Sequence, residues 1–125
     1  MNSIKIICFG EILWDIFPDG KMIGGAPFNV AASIHGLGGN VKLISRVGKD
    51  SLGNEIIVNI KAKGLSVKFI QSDNFYATGK VLVALDKNGI AKYKIPSDAA
   101  WDFIESTPTI INAVSEANAF IFGSL

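Results

Sequence analysis

The segment Gly24-Gly25-Ala26-Pro27 constrains the fold of this chain more tightly than any other short stretch. It lies within the run Gly20 to Ala31, Gly-Lys-Met-Ile-Gly-Gly-Ala-Pro-Phe-Asn-Val-Ala. Two glycines remove side chains where another group could approach the backbone, and proline fits the first turn of a helix, where a missing N–H is no loss. An extended stretch must therefore give way to a helix here. Asn29 sits one turn inside and offers both a donor and an acceptor. A helix N-terminus opening on two glycines favours neutral polyols or anions. Taken alone, a Gly-Gly pair is a plain loop-to-helix junction. Asp15, on the preceding strand, is what makes it a candidate binding site.

The pattern around this junction alternates strands and helices. Ile4 to Phe9 is a short apolar run ending at Gly10, as expected of a strand buried on both faces. Leu13 to Phe17 forms a second strand, Pro18-Asp19-Gly20 a turn, and Lys21 to Ile23 the return. Phe28, Ala31, Ala32 and Ile34 follow helical spacing within a helix predicted from Pro27 to His35, closed by Gly36, Gly38 and Gly39. Val41 to Val47 is a strand. Asp50 or Ser51 then caps a helix to about Lys63, with Gly64 as its stop.

Beyond Gly64, Val67 to Ile70 and Lys80 to Leu85 read as strands, and Asp86-Lys87-Asn88-Gly89 as a hairpin turn before Ile90 to Ile95. Thr107 and Pro108 open a helix through Ala117, and Ala119 to Phe122 is a last apolar strand. Two βαβ-like stretches thus flank an antiparallel insert, which is α/β. A terminal apolar strand would expose an unpaired edge. The expectation is a chain that stops partway through a larger α/β domain, or an edge strand covered by a partner chain.

Composition narrows the function classes. No apolar run approaches the roughly 18 residues of a membrane span, and the start lacks the pattern of a secretory signal. Cys8 is the only cysteine, so no internal disulfide forms, which suits a reducing cytoplasm. Twelve Lys and Arg against eleven Asp and Glu leave a net charge of +1, without a basic cluster, so neither nucleic acid nor a membrane is the expected partner.

Several segments together resemble the ribokinase/fructokinase-like PfkB family of sugar kinases. They are Gly24-Gly25-Ala26-Pro27-Phe28-Asn29-Val30-Ala31-Ala32 followed by Gly36-Leu37-Gly38, then Val47-Gly48-Lys49-Asp50 and Leu52-Gly53. Gly10-Glu11-Ile12-Leu13-Trp14-Asp15 and Ala100-Trp101-Asp102 are similar to fructokinase members. The resemblance covers all 125 residues and corresponds to the family's N-terminal portion. It implies part of a doubly wound, Rossmann-like sheet of the ribokinase-like fold, with a small β-sheet lid from about 12–24 and 67–96. It further implies that Asp15 accepts hydrogen bonds from sugar hydroxyls, that Gly24 and Gly25 present backbone to the sugar, and that Asn29 bonds another hydroxyl. Tyr93 stands where lid residues approach the sugar. Lid strands in the family often pair between subunits, which points to a homodimer. Ala26 departs from the Lys of some ribose-specific members, which turns the reading toward fructose or another hexose.

The chain also lacks chemistry that phosphoryl transfer needs: phosphates held in place, a metal and a base near the hydroxyl. No Gly-x-x-x-x-Gly-Lys-Ser/Thr loop occurs, nor the Gly-Ala-Gly-Asp segment around which the family places its nucleotide site and base. ATP and Mg2+ are therefore expected of a full-length enzyme, with no catalytic, cofactor-binding or metal residue in these 125, and the chain alone is expected to be inert. Two other functions fit the same residues: a non-catalytic sugar-binding module, or a kinase for a nucleoside or other sugar. Among single residues, His35 and Trp101 read as structural, Cys8 and Phe28 as core, and Asp102 as a cap or loop residue.

Overall fold

The computed structural model describes residues 3–123 and 125. In chain order the elements are β1 (Lys5–Phe9), β2 (Leu13–Phe17), β3 (Gly20–Gly24), α1 (Ala26–Gly36), β4 (Asn40–Gly48), α2 (Ser51–Ala62), β5 (Ile70–Asp73), β6 (Gly79–Leu85), β7 (Ala91–Lys94), a 3-10 turn (Ala100–Phe103), α3 (Pro108–Ser115) and β8 (Ala119–Phe122). They form two four-stranded sheets. The first runs β5-β4-β1-β8, every pair parallel. The second runs β3-β2-β6-β7. Its outer pairs are antiparallel, and its central pair, β2 with β6, is parallel.

Each helix begins where its sequence supplies a partner for the free N–H groups of the first turn. Asp50 caps α2 by accepting from the Gly53 N–H at 2.8 Å, and Thr107 caps α3 from the Ile110 N–H at 3.2 Å. Gly64, at φ +80°, ends the α2 segment in the conformation that favours glycine, beside the His35 ring. α1 has no such side chain at Gly25, and its partner comes from elsewhere in the chain.

Ile56 and Ile60, one turn apart on α2, are fully buried in a core that includes Cys8, Leu43 and Phe28. Burial of each isoleucine contributes about 1.5–3 kcal/mol. Ile7, Ile44, Phe69 and Ile110 form a second cluster on the other face of the first sheet, under α3. Helix-bearing layers on both faces explain why β1 and β4 read as continuous apolar runs.

Three expectations change. The strand expected at Val67 to Ile70 begins only at Ile70, because Val67 to Phe69 makes a turn closed by the Ile70 N–H on the Val67 carbonyl at 3.0 Å. This strand pairs with β4 in the first sheet, so the second sheet takes residues 79–94 of the expected 67–96 span. Nor is the insert wholly antiparallel. β2 and β6 are more than 60 residues apart along the chain, and a strand's apolar alternation carries no information about the direction of a distant partner. α3 also ends at Ser115, short of Ala117.

Candidate functional site

Gly10 to Ile12 carries the chain from the end of β1 in the first sheet to β2 in the second, and the candidate residues gather at this crossing. Asp15 lies in the middle of β2, between Met22 of β3 and Val81 of β6. It is half-buried, and loss of water around its carboxyl pushes its pKa above the usual carboxylate value. Its Oδ2 occupies the space that a Cβ on Gly24 would need. Gly24 is therefore bare because the carboxylate rests over it.

Gly25 is bare for a different reason. It caps α1 at φ +106°, ψ +126°, and a Cβ there would stand 2.5 Å from the Glu11 carbonyl oxygen. Both the left-handed φ and the fixed backbone neighbour demand glycine. The first N–H of α1, that of Ala26, donates to Glu11 Oε1 at 3.1 Å. Glu11 is only 4% exposed, so one nearly buried carboxylate serves the helix opening. Sequence reasoning did not single it out as a site residue. Its signal was present, since Glu11 is the only charged residue between Ile6 and Trp14.

The other candidates are placed apart from this pair. Asn29 is exposed on the first turn of α1, with its N–H on the Gly25 carbonyl at 2.9 Å. Its side chain lines an open cleft of about 690 Å³ shared with Trp14, Lys21, Ser33, Asn59 and Lys63. Neither Asp15 nor the glycine pair lines that cleft. Trp14 lines it from the face of β2 opposite to Asp15, and Met22, the cross-strand partner of Asp15, lines it as well. Tyr93 shares the Asp15 face of the second sheet through its register with Val83, one strand away, and is 67% exposed.

The remaining singled-out residues are structural. Cys8 is buried in the core, and burial pushes its thiol up. Asp102 Oδ2 accepts from the Ala99 N–H at 3.2 Å, a local turn contact. Trp101 packs against Gly79. Phe28 is core.

A parallel sheet with helices on both faces, joined to a second, mixed sheet whose carboxylate meets a glycine-opened helix, is a ribokinase-like α/β arrangement. The chain belongs to the pfkB family of carbohydrate kinases, whose family model matches residues 8–124. It is 32% identical over 111 residues to the fructokinase of Escherichia coli, a match covering 84% of this chain and 36% of that protein. To the probable fructokinase-5 of Arabidopsis thaliana it is 28% identical over 137 residues, 99% of this chain and 42% of the relative. The chain thus spans less than half the length of these relatives. Among solved structures it superposes on a sugar kinase of Pyrococcus horikoshii, PH1459, with a TM-score of 0.82 at 30% identity, covering 95% of this chain and 44% of that one. It also superposes on the ATP-bound fructokinase of Xylella fastidiosa, with a TM-score of 0.79 at 26% identity, covering 94% and 38%.

Proposed function

We propose that the whole protein transfers a phosphoryl group from ATP to a hydroxyl of fructose or a related hexose, and that these 125 residues supply the sugar side of its site. The observation that carries this is the Asp15 carboxylate resting over Gly24 at the crossing between the sheets. A fixed acceptor beside bare backbone is the equipment for binding vicinal hydroxyls in a partly dehydrated site. In this reading Asp15 accepts from one hydroxyl, Gly24 and Gly25 offer backbone, and Asn29 reaches another hydroxyl from the first turn of α1. Tyr93 approaches the sugar from the second sheet, which acts as a lid that excludes water so that phosphate passes to sugar.

In this reading ATP and Mg2+ are not held by these 125 residues. Among the described residues, no three His, Cys, Asp or Glu side chains gather as a metal site, and the sequence has no phosphate loop of the Gly-x-x-x-x-Gly-Lys-Ser/Thr kind. Both ligands fall to the rest of the whole protein, and the 125 residues alone turn over no sugar. The carrying chain is the N-terminal part of one ribokinase-like domain and works in the cytoplasm. The Asp15 face of the second sheet leaves Phe17, Leu85 and Tyr93 exposed, and a second copy of the chain covers them in a homodimer. Light scattering on the whole protein tests that pairing, and a monomer overturns it.

The deciding experiment is ADP release by the whole protein with fructose, ribose and adenosine, repeated with Asp15→Asn. The charged carboxylate of Asp15 is disfavoured by burial, so the neutral variant keeps its thermal midpoint. Its kcat/KM for fructose falls by about 100-fold, the scale of one lost charged hydrogen bond of about 3 kcal/mol. Unchanged kcat/KM removes the role of Asp15, and preference for adenosine over every hexose overturns the fructose reading.

A further inference from the structure

The segment Gly48-Lys49-Asp50-Ser51-Leu52-Gly53 lies outside the sugar site, yet it is hydrogen-bonded to the start of the second sheet. Asp50 reaches from the cap of α2 to Thr78, the residue immediately before β6. Thr78 donates its N–H to Asp50 Oδ2 at 2.9 Å and its hydroxyl to Asp50 Oδ1 at 2.7 Å. The Gly48 N–H, at the end of β4, donates to the Thr78 hydroxyl oxygen at 2.9 Å. Thr78 is 3% exposed, so these bonds form out of water. Burial by itself would raise the pKa of Asp50, but the bonds from Thr78 and Gly53, with Lys80 nearby, hold the carboxyl below its usual range.

The two glycines of the segment follow from the same contact. A Cβ on Gly48 would stand 2.6 Å from the Thr78 nitrogen, and one on Gly53 would overlap the Gly48 carbonyl oxygen. Neither neighbour is a side-chain tip that could swing aside. The spacing of glycine, aspartate and glycine is what lets a strand end, a helix start and a strand start meet at one carboxylate.

β6 begins one residue past Thr78 and pairs with β2, placing Val81 beside Asp15. We propose that Asp50 and Thr78 are positioning residues: they form the joint that sets the second sheet against the first and so fixes where Asp15 stands relative to the glycine-opened helix. The inference rests on the sugar-kinase reading for its functional half and on geometry alone for its structural half. Asp50 holds Thr78, Thr78 sets the start of β6, and β6 carries β2.

Two measurements test it. In hydrogen exchange on the whole protein, Thr78→Val quickens the amides of β2 and β6 by about tenfold, leaves those of β1 and, apart from Gly48, of β4 unchanged, and Thr78→Ser restores the native pattern. In the whole protein, Thr78→Val raises the sugar KM by about tenfold with the ATP KM held, and Thr78→Ser again restores it. If Thr78→Val fails to fold, Asp50→Asn, which keeps the volume and one acceptor, is read by the same two measurements. Exchange that quickens equally in both sheets, or an unchanged sugar KM, overturns the proposal. A whole protein that phosphorylates no sugar overturns the kinase reading instead, and exchange then decides the joint by itself.

Discussion

Replacing Gly25 by alanine separates two costs that usually travel together. The first is backbone strain. At φ +106°, ψ +126°, Gly25 occupies a region that residues with a Cβ rarely enter, and holding alanine there costs about 1–3 kcal/mol. The second is contact: the new Cβ stands 2.5 Å from the Glu11 carbonyl oxygen and 3.2 Å from the Ile12 Cα, both backbone atoms at the crossing between the sheets. Relieving that overlap requires movement of the crossing or of α1, so the overlap adds to the strain. The lower backbone entropy of alanine in the unfolded chain offsets roughly 0.4–1 kcal/mol of that loss. The expected net loss is about 2–3 kcal/mol. Gly38 provides the internal control. It also has a positive φ, +85°, but a Cβ there meets nothing within 4 Å. Gly38→Ala therefore costs strain alone, about 1 kcal/mol. Urea unfolding of both variants followed by circular dichroism measures the difference, which is the contact share together with any strain at Gly25 beyond that at Gly38. Equal losses at the two glycines would refute the argument that backbone proximity, and not φ alone, fixes Gly25.

Ser45 lies fully buried on β4, and its hydroxyl has no hydrogen-bond partner among the described residues. Ser45→Ala removes that unsatisfied group and stabilises the chain by up to about 1 kcal/mol in the same urea assay; a loss larger than that would mean the hydroxyl has a partner. Asp73 accepts from the Tyr76 and Phe75 N–H groups and from Arg46 Nε at 2.6 Å, and these hold its carboxyl down at about 2. A carboxyl depressed in the folded state contributes stability that is present above its unfolded value of about 3.9 and is lost as the pH falls toward 2. Asp73→Asn flattens the fall in thermal midpoint between about pH 4 and 2, and a slope identical to that of the parent removes Asp73 as its cause.

Much of the fold was legible because it is local. The α2 helix could be drawn from Asp50 to Gly64, since a capping carboxylate, an apolar face and a positive-φ glycine act within one segment. The turn at Asp86-Lys87-Asn88-Gly89 was equally clear: Asp86 accepts from the Asn88 and Ile90 N–H groups, contacts that span only four residues. The site was half legible. Asp15 and Gly24 do lie together, as the glycine pair suggested. Glu11 was passed over because its partner, the Ala26 N–H, lies 15 residues away. Asn29 lines a cleft that Asp15 does not, because the rotation of α1 about its axis is set by Phe28 and Ala31 packing into the core, not by its own chemistry.

The sequence by itself determined which segments are strands and helices, β5 excepted, that a strand must meet a helix at two bare residues, and that the chain has the residue pattern of the pfkB carbohydrate kinases. Those properties depend on periodicity, caps and backbone freedom, which act over a turn or a hairpin. Only the tertiary structure decided that β5 joins β4 in the first sheet and that β2 runs parallel to β6. It also decided that Gly24 is bare for Asp15 while Gly25 is bare for the Glu11 backbone, and that Asp50 reaches Thr78 across the joint. Each of these is a contact between residues distant along the chain. It follows from packing two sheets around shared helices, and no pattern within a single element encodes it.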